Sequence, residues 1–177
     1  KRSHLKSSCV AGVIPQGSFM NIDDLTVNFK HLNSERLLED WHWLIGKDKL
    51  PILITEIGDA FLQKINGEEI YHLSVGTGTI RKMCDSASEF KSLLKDPQFI
   101  YDEFFPHVIS SFRDSGMTLG DDEVYSFKKL PIFGGEGSID NINPCNIEVH
   151  FSIFGQMVEQ TQGMEPGLIS SRNNWTM

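Results

Sequence analysis

Three glycines around one glutamate, followed by an aspartate and an asparagine, form "FGGEGSIDN" at residues 133–141. A segment of this kind has three chemical uses: cradling a phosphate, offering carboxylates to a cation, or bending the chain. A phosphate loop needs GxxxxGK followed by Ser or Thr, so that a lysine neutralises the phosphates ahead of a helix N-terminus. Here Glu136 stands where positive charge is wanted, and the spacing of Gly134, Gly135 and Gly137 does not match GxGxxG. An EF-hand fails as well, because its oxygen ligands alternate and end on a distant bidentate glutamate. Two uses stay open. Glu136 and Asp140 can meet at a hard cation if the loop folds back, or the glycines supply positive φ in a tight bend while Asp140 and Asn141 bond local backbone.

Other residues with chemical potential are scattered. His42 lies between Trp41 and Trp43 without an HExxH partner, and no GxSxG elbow is present. His72 and His150 both fall in strand-like runs with no nucleophile marked beside them. Cys145 and His150 stand five residues apart, a separation that along a strand puts their side chains on opposite faces. Glu56, Asp59, Glu68 and Glu69 surround one hairpin, where acidic residues are ordinarily solvated. The reading is therefore no catalytic set, no metal site and no cofactor.

Positioning these groups requires elements that the pattern supplies. Leu37, Leu38, Trp41, Leu44 and Ile45 share one helical face, with Ser34 or Asn33 to cap the start and Gly46 to end it, which predicts one amphipathic helix. "LPILITEI" and "DAFLQKI" read as strands. Asn66-Gly67 then forms a hairpin turn with both positions at positive φ, leading to "EEIYHLSV", and "GTG" leads to the strand "TIRKMC". Ser86 with Glu89 forms a capping box for a second helix, and Asp96-Pro97 opens a third that Pro106 kinks or splits. After the turn "GDD", "EVYSFKKLPIF" reads as a strand, and "CNIEVHFSIFGQMVEQ" as a strand running into a short last helix. Strands clustered between helices predict a single α+β domain with a mainly antiparallel sheet covered by helices.

The whole chain bounds the partners. Its 177 residues, 40% of them hydrophobic, suffice for one sizeable core. A net charge of −8 opposes direct nucleic-acid binding, which needs concentrated Lys and Arg. Three cysteines at wide spacings fit neither a disulfide framework nor paired CxxC ligands and point to a reducing, cytoplasmic setting. No apolar run approaches a membrane span, and the basic start lacks a secretory core. Residues 1–19, containing "VIPQGSFM", read as a tag-like or disordered segment, 20–162 as the domain, and 163–177 as a flexible tail.

The order of motifs carries a resemblance. "LLEDWHWLIG", "GDAFL", "GTGTI", "SASEFKSLL", "VYSFKKLPIFGGEGSIDN" and "IEVHFSIFGQMVEQ" together resemble a bacterial domain-of-unknown-function family. That family includes the C-terminal domain of immunity proteins that neutralise DNase effectors of type VI secretion. Residues matching its pattern include Trp41, Trp43, Gly58, Asp59, Phe61, Gly134, Gly135, Glu136, Asn141, His150, Phe151 and Gln156. The resemblance implies an α+β immunity-type fold, related to the SUKH superfamily of toxin-binding domains, and it implies binding rather than catalysis. Trp41, Phe61 and Phe151 are expected in the core.

Two functions follow. The first is a non-catalytic cytoplasmic protein that sequesters a cognate nuclease toxin, with its partner surface expected at Asp59, Gly134, Gly135, Glu136, Asp140, Asn141 and Gln156. The alternative is a small metal- or ligand-binding enzyme with a pocket at residues 134–141, using Glu136, Asp140 and His150. The oligomeric state is open.

Overall fold

The computed structural model describes residues 20–162; the tag-like and tail segments expected at 1–19 and 163–177 lie outside the described residues. Strands β1 (Thr26–Val27), β2 (Lys49–Thr55), β3 (Ala60–Lys64), β4 (Ile70–Ser74) and β5 (Thr79–Cys84) form an antiparallel meander in the order β1-β2-β3-β4-β5. A second, two-stranded sheet pairs β6 (Glu123–Phe127) with β7 (Ile142–Asn146). The helices are α1 (Ser34–Leu37), α2 (His42–Ile45), α3 (Ala87–Leu93), α4 (Pro97–Phe104), α5 (Pro106–Asp114) and α6 (Ile147–Glu159). This is the α+β domain that the pattern predicts.

Both faces of the meander are covered, because successive strand residues point to opposite sides. In β3, Phe61 joins Phe90, Phe104, Val108 and Phe112 under α3–α5, while Ala60 and Leu62 join Trp41, Leu73, Phe151, Phe154 and Val158 under α1, α2 and α6. Trp41, Phe61 and Phe151 are fully buried, as expected. Strand β6 divides in the same way, with Val124 on one side and Tyr125 on the other.

Several local expectations need correction. The single helix predicted from Ser34 is broken: α1 ends at Leu37, a 3-10 turn spans Glu39–Trp41, and α2 follows. The tighter turn brings the Trp41 indole N–H to the Phe151 carbonyl at 2.9 Å, a tertiary contact that overrides the local period. Asn33 caps α1, and Gly46 closes α2 at φ 75°, as the pattern requires. The Asn66-Gly67 hairpin exists, but residues 65–69 form its loop and of the pair only Asn66 has positive φ, in a turn closed by the Gly67 N–H on the Lys64 carbonyl. Pro106 splits the third helix outright. It disfavours the α conformation for the residue before it, and Phe105 accordingly turns left-handed at φ 50°.

The largest correction concerns the C-terminal run. The strand β7 ends at Asn146, whose side chain caps the next segment by accepting from Glu148 N–H and Val149 N–H. From Ile147 the chain is helical for 13 residues, so His150 lies on α6 and not on a strand. This longest of the described helices docks through Ile147, His150, Phe151, Phe154, Gly155 and Val158.

Candidate functional site

The glycine loop is a rigid bend. The Asn141 side chain accepts from the Lys129 N–H at 2.9 Å and donates to the carbonyls of Lys129 and Glu136, each at 2.8 Å. Gly134 sits left-handed at φ 81°, and a Cβ on Gly135 would collide with the Lys129 carbonyl. Gly134, Gly135 and Asn141 are therefore occupied with shaping the loop. Glu136 and Asp140 project from it, exposed, and Lys128 Nζ donates to the Asp140 carbonyl at 2.8 Å. Gln156 is exposed on α6, its amide donating to Ser152 Oγ at 3.1 Å.

Asp59 has a different fate. The turn Thr55–Asp59 closes by Gly58 N–H on the Thr55 carbonyl and by Asp59 N–H on Thr55 Oγ1 at 3.0 Å, which turns the Asp59 side chain inward. Its carboxylate accepts from the Val75 N–H at 2.8 Å and is 6% exposed, so it braces the β4–β5 turn and is not presented to a partner. Burial pushes its pKa up to about 7. The register Phe61↔His72↔Arg81 puts these three side chains in one row on the α3–α5 face. His72 there faces Asp59 and Glu103, each at 3.7 Å, and Arg81 pairs with Glu103. Burial, with Arg81 adding to it, lowers His72 to about 3.

His150 is equally committed. Since the Gly58 carbonyl can only accept, Nε2 carries the proton and donates to it at 3.1 Å, which leaves Nδ1 to accept from Ser126 Oγ at 2.9 Å. Burial lowers this histidine to about 4. A Cβ on Gly58 would collide with the ring, so the glycine is obligatory there as well as at φ 84°. Cys145 does not lie across a strand from His150; both approach Ser126, which stands between them. Burial raises the Cys145 thiol, so it is not activated as a thiolate. The polar groups invoked for a pocket at residues 134–141 are thus divided, with His150 in the interior and Glu136 in water. Among the described residues no group of three His, Cys, Asp or Glu is placed to hold a metal ion.

Concave surface lies elsewhere. A cleft of about 440 Å³ is lined by His31, Glu56, Gly120, Asp121, Asp122 and Glu123, among others. Its walls are fixed: Arg113 Nη2 donates to both Glu56 oxygens at 2.8 Å, Gly120 N–H donates to Glu123 at 2.7 Å, and His31 pairs with Asp122 at 2.7 Å. Burial raises the Glu56 pKa, against the pull of Arg113. Asp122 takes φ 60°, which aspartate tolerates, and its carbonyl receives the Ile147 N–H at 2.8 Å, joining the cleft wall to the start of α6. The sequence pattern predicts a turn at "GDD" and a solvated hairpin acid at Glu56, and the run Asp121-Asp122-Glu123 is the signal in it that points to the cleft.

Beyond the cleft, charge has one sign. From Leu130 to Gln162 the chain contains no lysine or arginine, while Glu136, Asp140, Glu148 and Glu159 are all exposed. Asp59 and His150 are thus buried and hydrogen-bonded, while the charged side chains of residues 130–162 are exposed and acidic. Residues 85–158, from the start of α3 almost to the end of α6, match the family described as T6SS immunity protein Tdi1, C-terminal. This is the family that the motif order resembles, although the match covers the second half of the domain and not the meander. It supports an immunity-type role for the chain. No curated protein matches it. No helix among the described residues is long and apolar enough to cross a membrane.

Proposed function

We propose that this protein is a cytoplasmic, non-catalytic immunity protein whose domain, residues 20–162, sequesters a secreted nuclease toxin. The match of residues 85–158 to the T6SS immunity family carries the reading. Charge supports it. A nuclease must hold a polyanion with clustered Lys and Arg, and this chain has a net charge of −8 and an acidic cleft beside an acidic stretch free of basic residues. Such complementarity steers encounter and lets the acidic face occupy the surface that would hold nucleic acid. Glu136, Asp140 and Gln156, with Asp121, Asp122 and Glu123, are the groups proposed to meet the toxin, and Gly134, Gly135 and Asn141 hold the loop that presents Glu136.

Co-expression tests this reading. Cells producing a cognate nuclease toxin are expected to survive, with intact DNA, when this chain is present. Continued DNA degradation at equal expression of a folded chain rejects the proposal.

A further inference from the structure

Helix α6 has an outer face that its docking does not use. The inward residues are fixed: Trp41 bonds the Phe151 carbonyl, and a Cβ on Gly155 would lie 2.6 Å from the Asp40 carbonyl, so helix and turn meet backbone to backbone. The opposite side carries Val149, Ile153, Gln156 and Gln160, spaced i, i+4, i+7, i+11 along one face over roughly 16 Å. Val149 is 44% exposed and Ile153 48%, the two most exposed large hydrophobic residues among those described. Beside this stripe runs an acidic edge. Glu148 and Glu159 lie three helical turns apart, and between them Asp40 is held to the helix by Ser152 Oγ at 2.6 Å.

We propose that this outer face of α6 is the anchor of the toxin contact, with Val149 and Ile153 seated against apolar atoms of a cationic protein surface and Asp40, Glu148 and Glu159 pairing with its lysines and arginines. The inference rests on the immunity reading and adds the surface that serves it. An exposed apolar pair with a rim of acidic groups along one edge is the composition of an interface centre with a polar border. The rim selects the occupant. A second copy of this chain would bring like charges together, and a nucleic acid would meet only repulsion, whereas a surface that grips phosphates with Lys and Arg complements it. Because α6 is already locked by its inner contacts, little ordering accompanies docking, which favours slow dissociation. The cleft wall at Asp122, bonded to Ile147, extends the negative surface from the first turn of the helix.

Binding of the catalytically inactivated toxin against which this chain protects, measured by biolayer interferometry, tests this. The double substitution Val149→Asp with Ile153→Asp is expected to weaken binding by about 100-fold, chiefly through faster dissociation. Glu148→Lys with Glu159→Lys, both at exposed positions, is expected to slow association by about tenfold at low salt, an effect that disappears at high salt. Ile52→Asp, at an exposed apolar position on β2 and not on α6, is the control and leaves affinity unchanged. Circular dichroism and the unfolding midpoint establish that each variant folds, and the charge-reversal pair decides the matter if the apolar pair does not. Wild-type binding with undiminished affinity in the folded α6 variants overturns this inference and leaves the immunity reading standing. Absence of wild-type binding overturns both. Self-association of the wild type in sedimentation, abolished by Ile153→Asp, assigns the stripe to a second copy and also overturns the inference.

Discussion

Asp59 and Glu148 carry the same functional group, and the fold treats them in opposite ways. Asp59 is closed into the interior, where Val75 N–H fixes its carboxylate and burial pushes its pKa up to about 7. Glu148 stands in water at the first turn of α6, beside the half-exposed aliphatic pair Val149 and Ile153. His72 and His150 belong with Asp59: each is buried and held near the neutral form, and each joins elements distant in sequence. Asp121 and Glu159 belong with Glu148, and Asp122 and Glu123 are partly exposed at the cleft. The difference teaches that chemically versatile residue types mark function only where the fold leaves them accessible; enclosed, the same types specify which turn meets which helix.

The interior half of this comparison is the easier to break. Gly58→Ala introduces a methyl where His150 already lies, at a backbone φ of 84°, and is expected to cost about 3 kcal/mol in urea unfolding. Because His150 sits on α6, loss of protection from hydrogen exchange should extend into that helix. A cost below about 1 kcal/mol would show that the turn and the histidine are not joined in the way described.

Asp59→Asn sharpens the electrostatic side. Folded Asp59 titrates near 7 and unfolded aspartate near 4, so between those values the folded chain holds the extra proton and this group removes stability as pH rises. The two histidines act in the opposite sense. With folded pKa values of about 3 and about 4 against about 6.5 unfolded, they add stability as pH rises toward 6.5. Between about pH 4.5 and 6 the three groups leave one net proton on the unfolded side, a rise of about 1.4 kcal/mol per pH unit. Asp59→Asn removes the opposing carboxyl and should steepen that rise to about 2.7 kcal/mol per unit. Parallel pH profiles for variant and wild type would contradict the assignment.

The smallest effect on stability belongs to the exterior. Asp121→Asn with Asp122→Asn should change the unfolding free energy by no more than about 0.5 kcal/mol while slowing association with the inactivated toxin by about tenfold at low salt. Equal association rates would remove the cleft from the recognition surface.

Much of the fold was legible because local chemistry and tertiary structure agree. Ser86 caps α3, Asp96 and Pro97 open α4, and the meander follows its hairpin signals. Failures arose where tertiary contact overrode the local signal. Leu37, Leu38 and Trp41 share a burial requirement that a broken helix meets as well as a straight one. The sequence pattern carries the strand as far as His150 and starts the last helix late, because Val149 and Ile153 are aliphatic on the solvent side of α6 and blur the 3.6-residue period. The residues that disguise the helix are those proposed to meet the partner. Of the expected site residues, Glu136, Asp140 and Gln156 are at the surface, while Asp59 is enclosed and Gly134, Gly135 and Asn141 shape the loop. No single sequence states which side of an acidic turn will face solvent, so the cleft emerged only from the fold.

Calorimetric titration of the wild-type chain with the inactivated toxin, repeated from about 50 mM to about 500 mM salt, tests the central claim most directly. Saturable binding that weakens at least about tenfold over that range is expected, because opposed surface charges become screened. Affinity indifferent to salt, or no binding by a folded chain, would contradict it.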